Sequence, residues 1–211
     1  MTQIDPPQEP DVLAFWSMAL QLKRLRRQGW IDRGVNAPES SADHSWAVAL
    51  LAWLLSLQYP NLDRDRVVLM ALVHDLPEAL AGDATPFDDI RAAHGALSDD
   101  HFRQMPPISD ASRRAKRHEE ETALELMTSE LPKSIGTEIR EAWLEYENGE
   151  TAEAAFVKQI DKLETLLQAE DYRGRQPGLV IDSFRLGAER AITDPILVEL
   201  LERSKWGRQQ P

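Results

Sequence analysis

An apolar segment of the chain ends in side chains that can bind or transfer protons and metal ions. Residues Val67 to Val73 are all apolar, and His74, Asp75 and Glu78 follow them. Burial of an imidazole and a carboxylate is costly unless each finds a partner. A divalent metal ion serves both, because it binds a neutral imidazole nitrogen and an ionised carboxylate oxygen together. The alternative is a helix end at which His74 and Asp75 are exposed or hydrogen-bonded.

Two further segments carry candidate ligands close to apolar helical faces. His44 lies at the start of one predicted helix, and Asp161 borders the apolar stripe of another. Together with His74 and Asp75 they form a set of two imidazoles and two carboxylates. Such a set suits one borderline or hard divalent cation and leaves coordination positions for water. Each residue alone is more typical of a structural role, and only the whole set predicts a metal site.

Two acidic residues near this pair are candidates for catalysis. Glu78 lies four residues after His74, so a continuous helix would place both on one face. A carboxylate there can orient or deprotonate water without binding the metal itself. Asp83 follows the predicted helix end at Gly82, where its side chain can turn back over the site. The alternatives are an exposed carboxylate for Glu78, and a cap of the turn at Thr85-Pro86 for Asp83.

The segments that must position these residues have the pattern of helices throughout. Apolar side chains recur at helical spacing, strand-like alternation is nearly absent, and no internal repeat occurs. We predict helices over residues 11–27, 44–57, 63–80, 110–129, 132–146, 151–171, 182–191 and 195–206. Ser41 or Asp43 is the expected cap of the second helix, and residues 85–107 are predicted to be irregular, with at most a short helix near 88–94. The sequence therefore predicts one all-α domain over residues 1–211, with a core at about 11–172 and C-terminal helices within 180–206 packed on it.

Composition narrows the class of protein. Apolar residues make up 42% and charged residues 28%, which is typical of a soluble globular protein. The apolar runs are too short to span a membrane, and the first residues lack the pattern of a signal peptide. No cysteine occurs, so thiolate chemistry is excluded and any metal must be held by His, Asp or Glu. These features together favour the cytoplasm.

The net charge of −12 restricts the partners of the chain. A field of this sign disfavours binding to nucleic acid polymers and to anionic membranes, so neither is expected as a partner. An anionic small substrate would need a local positive site. Two basic clusters occur, at residues 23–27 and 113–117, and such runs usually lie on solvated helix surfaces. The first cluster, which ends at Arg27, stays a candidate for binding an anion.

The order of the candidate ligands resembles the HD-domain superfamily of metal-dependent phosphohydrolases. His44, His74-Asp75 and Asp161 match its H…HD…D pattern. More narrowly, the chain is similar to the 5′-deoxynucleotidase branch, which includes the bacterial YfbR-type enzymes. The resemblance spans about Leu20 to Tyr172. The supporting motifs are Leu22–Arg24, Gly29-Trp30, Pro38–Ser40, Asp43–Ser45, Ala71–Ala79, Gly82–Pro86, Glu145–Glu147, Ala152–Ala154 and Phe156–Lys162.

The resemblance implies an HD-domain helical bundle that hydrolyses nucleoside 5′-monophosphates, including deoxynucleotides, to a nucleoside and phosphate. The attacking group would be a metal-activated water, and a homodimer is implied as the assembly. The cofactor would be one divalent metal ion, and Mn, Co, Mg, Zn and Fe all suit the ligand set. The implied metal ligands are His44, His74, Asp75 and Asp161, and the implied catalytic residues are Glu78 and Asp83.

The same resemblance implies three substrate-binding residues. Trp30 matches a tryptophan of the substrate pocket, and Ser45 lies beside the first metal ligand. The YfbR-type enzymes have an arginine directly before that tryptophan, where this chain has Gly29. Arg27, two residues earlier, is the expected substitute for binding the phosphate, as in the human-like members.

Two other functions stay open from the sequence. A two-metal phosphodiesterase or a di-iron oxygenase of the same superfamily would need extra histidine ligands between the HD pair and the last Asp. Only His94, His101 and His118 are available, and none has an apolar setting. A non-catalytic metal-binding module would keep the ligands but would have no need of Glu78 or Asp83.

Overall fold

The computed structural model describes residues 10–206, and helices dominate them. They are α1 (Val12–Ala19), α2 (Gln28–Ile31), α3 (Ser41–Ser56), α4 (Arg64–Val73), α5 (Glu78–Ala81), α6 (Asp88–His94), α7 (Asp99–Phe102), α8 (Asp110–Ser129), α9 (Lys133–Asn148), α10 (Ala152–Arg175), α11 (Asp182–Ala191) and α12 (Pro195–Trp206). A 3-10 helix (Leu20–Lys23) follows α1, and residues 10–206 contain no strand. The all-α prediction is confirmed. Residues 1–9 and 207–211, which include the signal-peptide prediction and the ends of the predicted domain, lie outside the described residues.

Four long helices form the core that carries the candidate ligands. Helices α3, α4, α9 and α10 pack on one another, and α11 and α12 pack on α10. Val48, Met70 and Ile160 are completely buried between them. Burial of such a side chain stabilises the fold by roughly 1.5–3 kcal/mol relative to exposure. Within residues 10–206, none of these helices is both long enough and apolar enough to cross a membrane.

The predicted helix over residues 63–80 is wrong because it is interrupted next to the candidate ligands. Asp63 caps its start as expected, but α4 ends at Val73, and a turn over residues 74–77 separates it from α5. Pro77 explains the break, because it has no N–H and its ring collides with the carbonyl four residues earlier. His74 and Asp75 therefore lie in the turn that follows α4 rather than within a helix.

The first predicted helix, residues 11–27, is also wrong at its end. The α-helix stops at Ala19, and the backbone is bridged to the next segment through Arg26 and Ser40. The apolar spacing that predicted the helix ends at Leu22, and the basic residues after it have helical propensity but no buried face. Arg27 consequently lies directly before the short helix α2 rather than on a helix surface.

Helix α3 begins three residues before the predicted start at His44. Its cap is Ser40, whose hydroxyl accepts the Asp43 N–H while the Asp43 carboxylate accepts the Ser40 N–H. Ser41 and Asp43 were the expected caps, and only Asp43 takes part. The remaining predicted helices occur within a few residues of their expected bounds, and α7 adds a helix to the segment predicted as irregular.

Candidate metal centre and its cavity

The four predicted ligands come together at the centre of the bundle. His44 Nε2 lies 3.4 Å from His74 Nε2 and 3.7 Å from Asp75 Oδ2. His74 Nε2 lies 3.3 Å from the same Asp75 oxygen. Asp161 Oδ1 is 3.2 Å from His44 Nε2. His44, His74 and Asp75 each offer a ligand atom within 4.8 Å of the others, and Asp161 of α10 joins this group through its contact with His44.

The hydrogen bonds of the two imidazoles show that this cluster suits a cation. His74 Nδ1 lies 2.8 Å from the Ala71 carbonyl oxygen, which can only accept, so Nδ1 carries the proton. The neutral ring then presents the Nε2 lone pair to the cluster. His44 Nδ1 donates in the same way to Glu164 Oε2, at 2.6 Å. When Nε2 of both rings is unprotonated, two lone pairs and two carboxylates face one another. A divalent metal ion shared between them would remove this repulsion, so these residues could hold one.

Both carboxylates of the cluster are held in the ionised form. Burial raises the pKa of Asp75, but His74 and His44 outweigh burial and lower that pKa below its usual value. Burial likewise raises the pKa of Asp161, and the Lys162 ammonium at 2.8 Å outweighs it, with His44 adding to the lowering. A metal ion requires ionised ligands, so this electrostatic arrangement favours binding.

Glu78 lies beside the cluster, and its pKa is shifted in the opposite direction from those of Asp75 and Asp161. Its buried carboxylate accepts a hydrogen bond from Ser41 Oγ at 3.0 Å. Burial raises the pKa of Glu78 well above its usual value, and the charges of Asp75 and Asp83 raise it further. The prediction that a continuous helix aligns Glu78 with the HD pair is wrong, because α4 ends at Val73. The turn over residues 74–77 places Glu78 beside the cluster instead.

Arg27 supplies positive charge at the edge of the cluster. Its Nη1 lies 3.7 Å from Asp75 Oδ2, and this buried nitrogen has no hydrogen-bond partner. Burial lowers the pKa of Arg27, but Asp75, Asp83 and Glu78 outweigh it and raise that pKa. An unpaired buried donor is costly. Arg27 is therefore available to bind an anionic group that enters the site.

Asp83 holds the segment that carries Arg27. Its Oδ2 accepts the backbone N–H of Gln28 at 2.6 Å, at the start of α2. The alternative role as a cap of the Thr85-Pro86 turn falls instead to Asp88, whose carboxylate accepts both the N–H and the hydroxyl of Thr85. Asp83 thus turns back toward the site, as the sequence predicted.

A cavity of about 410 Å³ opens beside the cluster. Its wall includes most of the predicted site residues, namely Arg27, Trp30, His74, Asp75, Glu78, Asp83 and Asp161. It also includes residues that the sequence did not single out, namely Arg33, Phe87, Phe184, Glu120 and Lys158. The volume is within the range of small-molecule sites. One part of the wall is aromatic and the other is charged.

Two predicted substrate-binding residues are less accessible than the sequence suggested. Trp30 lines the cavity but is only 1% exposed, because its ring packs against Tyr172 and Phe184. Its indole N–H donates to Glu39 at 2.9 Å. Ser45 is buried, does not line the cavity, and donates its hydroxyl to the Ser41 carbonyl. The hydroxyl that reaches the site is that of Ser41, which donates to Glu78 and was not predicted as a site residue.

The second basic cluster, residues 113–117, is largely exposed on α8, as expected for a solvated surface, but one of its members reaches the cavity. Lys116 lines the cavity and pairs with Glu120 at 3.3 Å. Burial raises the pKa of Glu120 to about 7. The spacing of four residues in a helix indicates such a pair, but no sequence signal shows which helical face meets the cavity.

The three histidines needed for a two-metal site lie elsewhere. His94 and His118 are exposed, and His101 is partly exposed. The rings of His94 and His101 stack 6.3 Å apart, away from the HD pair. None of the three lines the cavity beside the cluster. The histidines therefore give no second metal position at this cavity.

A helical bundle that gathers this His, His-Asp and Asp set beside a cavity is the arrangement of an HD domain. The HD-domain family profile matches residues 19–180, and the chain belongs to this family. The protein named 5′-deoxynucleotidase HDDC2 of Xenopus laevis is 35% identical over 192 residues, covering 90% of this chain and 84% of that protein. Its Homo sapiens counterpart is also 35% identical, covering 90% and 82%. The predicted resemblance to the 5′-deoxynucleotidase branch is confirmed.

A solved structure supports the same assignment of the fold. The crystal structure of the PH0347 protein from Pyrococcus horikoshii matches with a TM-score of 0.67 and 26% sequence identity. The match covers 92% of this chain and 98% of that one. The fold of nearly the whole chain is therefore shared with that protein.

Proposed function

We propose that this protein is a metal-dependent phosphomonoesterase that hydrolyses deoxynucleoside 5′-monophosphates to a nucleoside and phosphate. The observation that carries the proposal is the convergence of His44, His74, Asp75 and Asp161 beside a cavity lined by Arg27, whose buried Nη1 has no hydrogen-bond partner. The relatives named 5′-deoxynucleotidase HDDC2 support the same reaction class.

The four residues would hold one divalent metal ion. Such an ion, when bound, supplies Lewis-acid charge and lowers the pKa of a bound water. Glu78 is oriented by the Ser41 hydroxyl, and burial together with the charges of Asp75 and Asp83 raises its pKa. A carboxylate with a raised pKa is a stronger base, so it takes up a proton from water more readily. Glu78 is therefore the residue that accepts the proton of the attacking water.

Arg27 is the residue proposed to bind the phosphate group. The guanidinium presents an unpaired buried nitrogen at the edge of the cluster, and Asp83 holds the adjacent backbone. Gly29 lies beside this segment, where an added Cβ would make ordinary contact with Phe184 Cζ at 3.4 Å, and Arg33 donates to the Gly29 carbonyl. Arg27 then replaces the arginine that precedes the tryptophan in YfbR-type enzymes.

The aromatic part of the cavity wall suits the nucleoside. Trp30, Phe87 and Phe184 line it, and the buried Arg33 guanidinium lies 4.1 Å from the Phe184 ring centre. Aromatic and apolar surface of this kind binds sugar and base by dispersion and burial. Trp30 contributes as a wall because its ring is held on both sides. Direct contact of Ser45 with substrate stays a prediction, and its place behind His44 does not support it.

A homodimer is also proposed. Helix α3 and its C-terminal cap carry exposed apolar side chains that recur every three or four residues, so they form one stripe along the helix. Its members are Trp46, Leu50, Trp53, Leu54 and Leu57, each at least 40% exposed. An exposed patch of this kind is typical of a protein interface. Sedimentation of the wild type and of Trp53→Glu compares their oligomeric states, and loss of the dimer in the variant is the expected result. The cytoplasmic location stays a prediction.

Phosphate release from a panel of phosphomonoesters tests the substrate class. We expect deoxynucleoside 5′-monophosphates to be hydrolysed, and the matching 3′-monophosphates and glycerol phosphate to be poor substrates, because only the 5′-esters place phosphate at Arg27 and the nucleoside against the aromatic wall. The assay measures inorganic phosphate with the metal-loaded enzyme. Equal rates on glycerol phosphate and on the 5′-nucleotides would contradict the proposal, since the aromatic wall would then contribute nothing.

The affinity for metal is expected to rise with pH. Burial and Arg27 lower the pKa of His44, but Asp161 and Glu164 outweigh them and raise that pKa to about 9 in the metal-free protein. A metal ion must displace this proton, so its affinity should increase by about tenfold per pH unit between pH 7 and pH 9. Because the pKa lies above the usual 6.5, the stability that His44 contributes to metal-free protein is complete below pH 6.5 and is lost through pH 9.

Calorimetric titration of chelated protein with Mn²⁺ at several pH values measures this effect. Proton release is obtained from the same experiment in buffers of different ionisation enthalpy. An affinity that stays constant from pH 7 to pH 9, with no proton released, would contradict the prediction that His44 is protonated in the metal-free protein and loses a proton when the metal binds.

A further inference from the structure

The face of His44 that points away from the cluster has an unusually close partner. His44 is completely buried, and its Nδ1 lies 2.6 Å from Oε2 of Glu164, which is 6% exposed. Glu164 follows Asp161 by three residues on α10, so both project from one side of that helix. One helix therefore contributes a carboxylate to each nitrogen of the same imidazole.

We propose that Glu164 is a positioning residue for the metal, acting through His44. By accepting the Nδ1 proton it fixes the ring tautomer and directs the Nε2 lone pair into the cluster. A carboxylate bound to the outer nitrogen also makes the imidazole a stronger electron donor. The inference rests on the metal site of the proposed function, but it does not depend on which phosphoester is hydrolysed.

The surroundings of Glu164 argue against a purely structural role. His44 is the hydrogen-bond partner of its carboxylate among residues 10–206, and no Lys or Arg of that range lies within 4 Å of it. The carboxylate of Glu39 is close instead, because one oxygen of each residue and His44 Nδ1 lie within 4.8 Å of one another. A buried carboxylate beside a second one is costly to the fold. Orientation of the metal ligand is the benefit that offsets this cost.

The other imidazole of the cluster provides a comparison. His74 Nδ1 donates to the neutral carbonyl of Ala71, so its orientation depends on the backbone at the end of α4. His44 is held by an ionisable side chain, and its bond is charge-assisted and shorter. Of the two histidine ligands, only His44 can therefore be released by a side-chain substitution that leaves the ligand itself in place.

Metal binding by Glu164→Gln, measured in the full-length chelated protein, tests the proposal. An amide still fits the space but accepts a weaker hydrogen bond, so we expect the Kd for Mn²⁺ from calorimetry to rise about 10- to 100-fold. The matched control is Glu39→Gln, which removes the neighbouring charge but leaves the acceptor for Trp30 Nε1. We expect its Kd to stay within about threefold of the wild type. The visible spectrum of Co²⁺-loaded Glu164→Gln should shift, because the His44 ring is reoriented.

Thermal unfolding, a second substitution at position 164 and nucleotide hydrolysis by the wild type complete the test of Glu164. Each chelated variant should unfold in one cooperative thermal transition, which separates positioning from misfolding. If Glu164→Gln does not fold, Glu164→Asp withdraws the carboxylate by one methylene and should weaken Mn²⁺ in the same direction. An unchanged Kd and Co²⁺ spectrum, or an equal loss in Glu39→Gln, would overturn the proposal. Absence of nucleotide hydrolysis by the wild type, with the Kd effect present, would instead refute only the proposed substrate.

Discussion

The Asp75→Asn variant is expected to lose its bound metal and to release phosphate at least about 100-fold more slowly than the wild type. Asp75 Oδ2 lies 3.3 Å from His74 Nε2 and 3.7 Å from His44 Nε2, so it is central to the cluster. An amide has no negative charge and leaves the two imidazole lone pairs facing each other. Metal content after dialysis and the kcat on a deoxynucleoside 5′-monophosphate measure the two effects.

The control for this variant is Asp65→Asn, which makes the same chemical change in the exposed first turn of α4. We expect wild-type metal content and activity, since surface substitutions seldom matter. Asp75 also faces Arg27, so its loss leaves that guanidinium with one fewer acidic neighbour. Retention of one metal per chain by Asp75→Asn would contradict the assignment of Asp75 as a ligand.

The Glu78→Gln variant is expected to keep its metal and to lose activity by about 10²- to 10⁴-fold in kcat. Glutamine still accepts the hydrogen bond from Ser41 Oγ, so the position is preserved, but it cannot take up a proton. The raised pKa of Glu78, caused by burial and by the charges of Asp75 and Asp83, is the property that is lost. Single-turnover phosphate release and metal content measure the two quantities separately.

The same variant separates an enzyme from a non-catalytic metal-binding module. Glu141→Gln, an exposed substitution on α9, is the control and should match the wild type. A module would show no difference between Glu78→Gln and Glu141→Gln in any measured property. If Glu78→Gln kept wild-type kcat, proton transfer would have to be assigned to a different group, and Glu78 would be only a buried neighbour of the cluster.

The spacing of apolar residues was sufficient to predict an all-α fold and to indicate which polar residues border its core. The predicted bounds of α8 and α11 coincide with the observed ones, because both helices have long periodic stripes. His44 and Asp161 were found because a polar side chain beside an apolar helical face is unusual and needs a partner. The order of those residues along the chain then defined the family, which covers residues 19–180.

The residues that sequence analysis missed depend on tertiary contacts. The helical pattern continues on both sides of Pro77, so a continuous helix was predicted there. The helix in fact ends before Pro77, which places His74 and Asp75 in a turn. Ser41 was read as a cap, whereas its hydroxyl reaches Glu78, 37 residues away. Glu164 is 120 residues from His44, and no local pattern pairs them. Propensity and periodicity describe single helices, so they cannot show which side chains of different helices meet.

Chelation and reconstitution with a single substrate test the central claim most directly. The full-length protein is freed of metal, and phosphate release from a deoxynucleoside 5′-monophosphate is measured before and after Mn²⁺, Co²⁺, Mg²⁺, Zn²⁺ or Fe²⁺ is added. The structure of the His44, His74, Asp75 and Asp161 cluster predicts no turnover without metal and its return with at least one of these ions at about one ion per chain. Undiminished turnover by the chelated protein, or no turnover with any ion, would contradict the account.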